Sequence, residues 1–262
     1  MMSFDISQHF DQYFSLKIAN TEELLKEVYR IRYEVYCEEL QYESTENFPD
    51  GLEKDAYDSH SIHCLLLHKA TGTYAGCVRI ILPQKGTIKP IFPWQKFEPS
   101  LIYDYPEHKL KNLCEISRLA VRSQFRKRKG DDELPLAGIS AEGNGGKRRF
   151  PLIAMSLYWS AFCLALNFNL DIFAIMEPRL ARHLRRFGLS YCMFSELFEH
   201  HGTRGIFFTK PPELLDSLEL ENYKFFYFLN NIIATSLCES KHISYPFFVH
   251  QPDYSTHTAD IK

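Results

Sequence analysis

From Tyr13 to Ala19 the side chains alternate, with Phe14, Leu16 and Ile18 set against Ser15, Lys17 and Ala19. A period of two gives each face of a strand its own character, so a half-buried strand is expected here. The period then becomes helical: Leu24, Val28, Ile31 and Val35 predict a helix over about Thr21–Glu38, with Asn20 and Glu23 as a capping pair at its start. Two short apolar runs follow, Ile62–His68 and Tyr74–Leu82, joined by a connection containing Gly72, and read as a hairpin. Residues 83–106 are cut by prolines and are expected to run over the surface. Asn112–Val121 is the most regular apolar run and reads as a buried strand, whereas the polar, glycine-rich stretch 123–149 is long for a connection inside one domain. A helix over Pro151–Asn167, a strand over Asp171–Met176 and a helix over Arg179–Phe187 closed by Gly188 come next. Strands at Tyr191–Phe194 and Gly205–Thr209 precede a helix from Pro212 to about Cys238. This order describes one α/β domain with a mixed sheet over 1–211, and a helical C-terminal extension over 212–262 packed upon it.

Composition narrows the class. The 262 residues are 45% hydrophobic and 24% charged, the balance of a globular chain, and the formal net charge of -3 offers no overall field for nucleic acid. The first residues lack a secretory signal, and the seven cysteines are scattered singly, so a reducing, cytoplasmic setting is expected. Eleven histidines fall in no metal-binding spacing, and neither a metal nor a tightly bound cofactor is expected. The uncharged run from Pro151 reaches only the short limit of a membrane span and is broken by Asn167, Asn169 and Asp171. It reads as a buried helix rather than a spanning one, with peripheral membrane contact left open.

Charge sits where it is costly. Arg79 interrupts Gly76-Cys77-Val78-Arg79-Ile80-Ile81-Leu82-Pro83, and Glu115 and Arg118 interrupt Glu115-Ile116-Ser117-Arg118-Leu119-Ala120-Val121. An ion inside an apolar strand requires a partner. Arg32, Asp55 and Asp58 supply the remaining charges for such a set. Strict alternation puts Glu115 and Ser117 on one sheet face and Arg118 on the other. Spacing alone leaves open whether this network only fixes the fold or builds a site.

The ordered set Arg32, Asp55-x-x-Asp58, Gly76-Cys77-x-Arg79-x-x-x-Pro83 and Glu115-x-Ser117-Arg118 resembles the acyl-homoserine-lactone autoinducer synthases. It resembles still more closely the N-acyl amino acid synthases and the acyltransferases associated with the PEP-CTERM/exosortase system. Nearest to the last group are the runs Tyr29-Arg30-Ile31-Arg32-Tyr33-Glu34-Val35-Tyr36-Cys37-Glu38-Glu39 and Phe48-Pro49-Asp50-Gly51-Leu52-Glu53. The resemblance implies a GNAT-like fold, a mixed twisted central sheet flanked by helices, splayed between two strands to admit a pantetheine arm. It implies transfer of a fatty acyl group from an acyl carrier protein thioester to the amine of an amino acid or similar small acceptor. Glu115 would then be the general base, with Ser117 and the backbone N–H groups up to Leu119 holding the oxyanion. Arg32, Asp55, Asp58, Arg79 and Arg118 would organise the cleft, with Arg32 or Arg118 able to hold an acceptor carboxylate.

Two departures refine this. Residues 121–128 lack the glycines with which GNAT enzymes hold the pyrophosphate of coenzyme A, which favours a carrier protein over acyl-CoA. The basic run Arg126, Lys127, Arg128 and Lys129 would be its docking point. Tyr36 and Tyr42 stand where many autoinducer synthases have Phe and Trp, which sets the chain apart from use of S-adenosylmethionine. The alternatives are an acyl-homoserine-lactone synthase that does use it, and a non-catalytic lipid-binding module on the same fold. The aromatic residues of 150–162 and 225–228 read individually as core, although a long acyl chain would need a tunnel among them.

Overall fold

The computed structural model describes residues 5–84, 91–99, 111–126, 139–141, 148–150, 152–215 and 218–240, the segments 139–141 and 148–150 by backbone alone. Its strands are β1 (Phe14–Ile18), β2 (Ser61–His68), β3 (Thr73–Ile81), β4 (Leu113–Val121), β5 (Ile139–Ala141), β6 (Arg148–Phe150), β7 (Asp171–Met176), β8 (Cys192–Met193), β9 (Phe198–Glu199) and β10 (Thr203–Thr209). All but β5 and β6, which pair with each other, join one mixed sheet in the order β1-β2-β3-β4-β7-β10-β8, with β9 also on β10. Within it β4 and β7 run parallel, and the other pairs are antiparallel.

The helices are α1 (Ile6–Tyr13), α2 (Glu22–Arg32), α3 (Leu152–Asn167), α4 (Pro178–Arg185), α5 (Pro211–Leu215) and α6 (Leu220–Glu239). On one sheet face Val28 and Ile31 of α2 pack on Leu65, Cys77 and Ala120. On the other, α3 and α6 pack together with Cys64, Leu66, Val78 and Ile116. Nearly every side chain of α3 is buried, which accounts for its lack of charge. Its polar groups are turned inward on the helix: the Ser156 hydroxyl donates to the Leu152 carbonyl at 2.6 Å, and the Asn167 amide donates to the Asn230 side chain of α6 at 2.7 Å. No helix among the described residues is long and apolar enough to cross a membrane.

Several expectations are corrected. Helix α2 starts one residue later than expected: the Thr21 hydroxyl caps it by accepting from the Leu24 N–H, while Asn20 donates its amide to Ser240 beyond α6. Past Arg32 the helix widens into a π turn over Tyr33–Glu39. Such turns are rare and favour functional sites. The proline-cut segment does not simply run over the surface, because Phe92 and Trp94 are buried against Leu113 and Phe173. The expected last helix is two, α5 and α6. The short helix α1 has no counterpart in the expected order; its Phe10 packs against Phe14 and Phe225. Gly188 has the left-handed conformation expected of a helix-ending glycine, φ +87°, and a Cβ there would lie 2.3 Å from Leu218.

Candidate active site

The site opens where the sheet divides. β4 and β7 pair only over Leu113–Glu115 and Asp171–Phe173, after which Ile116–Leu119 and Ala174–Met176 line opposite walls of a cavity of about 640 Å³. β4 is also irregular on its other side. Its register with β3 slips by one between Cys77 and Arg79, leaving Arg118 and Leu119 opposite Val78, with Arg118 at φ +50°. A bulge puts two residues against one and re-aims the strand. Consequently Arg118 does not point away from Glu115 and Ser117, as strict alternation requires. All three line the same cavity, together with Arg79 and Asp55. The Leu119 carbonyl in the bulge accepts from the Tyr36 hydroxyl at 2.8 Å, so the π turn and the bulge brace each other.

The charges that the sequence left unpaired find one another across three segments. Arg32, fully buried, donates through Nε to Glu53 and through Nη1 to Asp58 at 2.7 Å. Arg79 donates through Nη1 to Asp55 at 2.6 Å and Asp58 at 2.8 Å, and through Nε to the Ser117 hydroxyl at 3.1 Å. Arg118 pairs with Glu43 at 3.1 Å and Glu53 at 3.2 Å. Asp55 also caps the 3-10 turn Ala56–His60, accepting from the Tyr57 N–H, while the Asp58 carboxylate accepts from the Asp55 N–H. The loop 53–58 is thus tied to α2, β3 and β4 at once. Arginine neighbours hold the Asp58 carboxyl far below the usual range despite its burial. His63 beneath it is held neutral, its pKa lowered to about 3 by burial and by Arg32. Arg32 is absent from the cavity lining and is bound to two carboxylates.

Glu115 differs from these acids. It is buried, it is in no ion pair among the described residues, and it accepts from the Trp94 N–H at 3.0 Å. Burial raises its pKa to about 8, against the smaller lowering by the Trp94 N–H and by Arg79. The Trp94 ring stacks on Phe173 of β7 at 4.9 Å, which fixes that N–H above the end of the β4–β7 pairing. A carboxyl titrating near neutrality at the floor of a cleft suits general base work.

Sequence reasoning passed over part of this site. Glu53 stands in the acidic run before β2, and its bridging of two arginines was visible only as one more nearby acid. Tyr191, His200, His201 and Arg204 also line the cavity, brought in from loops and the far strands by tertiary structure alone. Of the aromatic residues considered for a tunnel, Trp159, Phe162, Phe225 and Phe226 are buried core, Trp159, Phe162 and Phe226 packing on each other, while Tyr158 is the α3 residue that faces the cavity and the side chain of Phe150 lies outside the described residues. Of the basic run expected to dock a carrier, Arg126 pairs with Glu39, and Lys127, Arg128 and Lys129 lie outside the described residues. A different basic surface adjoins the cleft. Arg179, Arg182, His183 and Arg186, on and just after α4, line a second cavity of about 540 Å³ that shares Glu177 and Leu180 with the first. Among the described residues these arginines are in no ion pair, unlike Arg32, Arg79, Arg118 and Arg122.

Residues 31–135 match the family model of the acetyltransferase (GNAT) domain. No protein of curated function matches the chain in sequence. Among solved structures, the chain is similar to FeeM, an N-acyl amino acid synthase from uncultured soil microbes (14% identity, 80% of this chain and 96% of that one, TM-score 0.55). It is similar also to the acyl-homoserine-lactone synthase LasI (18%, 76% and 90%, TM-score 0.53). A third is BjaI, a coenzyme A-dependent acyl-homoserine-lactone synthase solved with S-adenosylmethionine and isopentyl-CoA (15%, 86% and 99%, TM-score 0.53). At these identities the likeness is one of fold.

Proposed function

We propose that this chain, which has the GNAT fold and matches the GNAT acetyltransferase domain model over residues 31–135, is an acyltransferase that moves a fatty acyl group from a carrier-protein thioester to the amine of an amino acid or similar small acceptor. The observation that carries this reading is the parting of β4 from β7 directly after Glu115, which leaves a slot between two strands with a proton acceptor at its floor. A thioester arm entering the slot would bring its carbonyl to the bulge at Arg118–Leu119, where backbone N–H groups would serve the oxyanion. The neutral form of the acceptor amine attacks the carbonyl carbon, and the nitrogen, positively charged in the tetrahedral intermediate, passes its proton to the Glu115 carboxylate, directly or through one water. Collapse breaks the C–S bond, and Glu115 returns the proton to the departing thiolate. A base with a pKa of about 8 is matched to that relay, since a free thiol titrates near 8.5.

The side chains divide the work. Ser117, held by the Arg79 Nε–H, stands on the Glu115 side of the bulge. Asp55, Asp58, Arg32 and Arg79 hold the acceptor wall in place, and Arg118, which lines the cavity and is partly exposed where Arg79 is buried, could reach an acceptor carboxylate. The arginines on and just after α4, in no ion pair among the described residues, lie beside the cleft and fit an acidic carrier protein, taking over the docking role expected of 126–129. Coenzyme A is the donor that BjaI uses, and it is the competing donor for this chain.

Incubation of the purified chain with acyl carrier protein thioesters, acyl-CoA and a mixture of amino acids, followed by mass spectrometry, tests the reading. An N-acyl amino acid formed faster from the carrier thioester is the expected product. A lactone formed from S-adenosylmethionine would replace this reading with the autoinducer one, and the absence of any acyl product would remove it.

A further inference from the structure

Resting on the acceptor proposed above, we infer that His201 is a specificity-determining residue. Its ring closes the acceptor end of the cleft to a nucleoside-bearing amine and leaves it open to a small amino acid. The imidazole of His201 stacks on the Tyr42 ring at 4.3 Å between centroids and 14° between planes. Tyr42 in turn faces Tyr36 at 6.5 Å, and the Arg118 guanidinium lies 5.4 Å from the Tyr36 centroid. The row continues beyond the histidine, with His200 at 4.5 Å from His201, and Phe97 at 4.6 Å from His200. Tyr42, Phe97, His200 and His201 all line the main cavity, so rings from three separate segments form part of its wall.

The segment that carries His201 is built to hold it there. The His200 N–H donates to the Gly202 carbonyl at 3.0 Å, and the Gly202 N–H to the Glu199 carboxylate at 3.0 Å. Arg204 ties the turn from below, donating through Nε to the His200 carbonyl at 2.6 Å and through Nη2 to that of His201 at 3.3 Å. His201 itself has φ +52°, a left-handed conformation that few non-glycine residues adopt. The residue is exposed, so core burial does not explain its near-parallel stack. With His201 on one side and Tyr36 on the other, neither face of the Tyr42 ring is available to a purine, which needs an aromatic face to bind by stacking. A small amino acid makes no such demand and can reach the polar floor at Arg79, Ser117 and Glu115 beneath the row.

Equilibrium dialysis of labelled S-adenosylmethionine against the full chain tests this without relying on catalysis. We expect His201→Ala to bind the probe at least tenfold more tightly than the wild type, and His201→Phe, which restores a ring, to bind it no better than the wild type. Equal binding by wild type and His201→Ala would overturn the inference. So would tight binding by His201→Phe, since the stack would then not be what excludes the probe. The melting temperature of each variant confirms folding, and an exposed position should leave it within a few degrees. If no N-acyl amino acid forms while the dialysis gives the expected pattern, the proposed function falls and the selecting role of His201 stands. If product forms and dialysis shows no gain, His201 alone is dismissed.

Discussion

Glu115 is the residue on which the chemistry turns, and its environment makes two measurable statements. Its carboxyl holds a proton up to about pH 8 in the folded chain and releases it near the ordinary value of 4.5 when unfolded. Folding therefore takes up a proton between those values, and the associated stability is full below about 4.5 and declines as pH rises through about 8. For a general base the sign is reversed: the active form gains as pH rises, so the acyl-transfer rate, taken at a constant concentration of neutral acceptor amine, should climb with unit slope to about 8 and then level. Glu115→Gln keeps an oxygen that can accept from the Trp94 N–H and loses the titration. We expect that variant to lose at least a hundredfold in rate, to flatten the pH profile, and to melt at more nearly equal temperatures at pH 5 and pH 8.5 than the wild type does. A retained ascending limb near pH 8 would assign the base to another group. Much of this was legible beforehand, because an acid in an apolar strand must either be paired or be used. What was not legible is which of these happened, since pairing is decided by the loop 53–58, which reaches Arg32, Arg79 and Arg118 and leaves Glu115 aside.

Among the elements, β4 shows why register resisted sequence reading. Its extent was plain from the apolar run, and so was the sharing of one face by Glu115 and Ser117. The bulge was not, because it occurs at an arginine with positive φ and no glycine marks it. Its support lies on the neighbouring strand: a Cβ on Gly76 would stand 2.4 Å from the Ala120 carbonyl and 3.1 Å from Leu157. Gly76→Ala should therefore force the two strands apart, at a cost of about 1–3 kcal/mol by analogy with overpacked cores. It should lower activity by more than the unfolded fraction explains. Activity that tracks the folded fraction measured by circular dichroism would mean the bulge plays no part in the site. Helix α4 and the residue after it make a separate prediction, since their arginines, in no ion pair among the described residues, flank the cleft. Arg182→Glu with Arg186→Glu should raise KM for a carrier-protein thioester at least tenfold at low salt and leave KM for a short pantetheine thioester unchanged, with the difference shrinking as salt is added. Equal effects on both donors would place the pair in the slot itself.

For the whole molecule, the strand and helix order of the sheet could be read from periodicity, and the cleft's outer wall could not. Tyr42, Phe97, His200 and His201 meet from three segments distant in sequence, and each belongs to a polar or proline-cut segment with no period of its own. The C-terminal segment poses a sharper question of scale. Read from the sequence, 212–262 is an extension, yet α6 buries Tyr223, Phe225, Phe226, Leu229, Ile233 and Leu237. Phe225 meets Phe10 of α1, Phe226 meets Trp159 and Phe162 of α3, and Asn230 meets Asn167. At about 1.5–3 kcal/mol for each large apolar side chain buried, the contribution of α6 is on the order of 10 kcal/mol. That is comparable with the whole stability of an ordinary domain, about 5–15 kcal/mol. A chain ending at Lys210 would also expose the face of α3 that carries Trp159 and Phe162, and leave the Asn167 amide without its partner on α6. We expect it to show no cooperative thermal transition and to bind a hydrophobic dye, although the sheet, the bulge and every proposed catalytic residue remain in the sequence. A truncated chain that melts sharply and retains activity would make 1–211 a domain in its own right, with α6 an addition to it. Loss of the transition would mean that the sheet on which the cleft is built depends for its folding on a helix that contributes nothing to the cleft's lining.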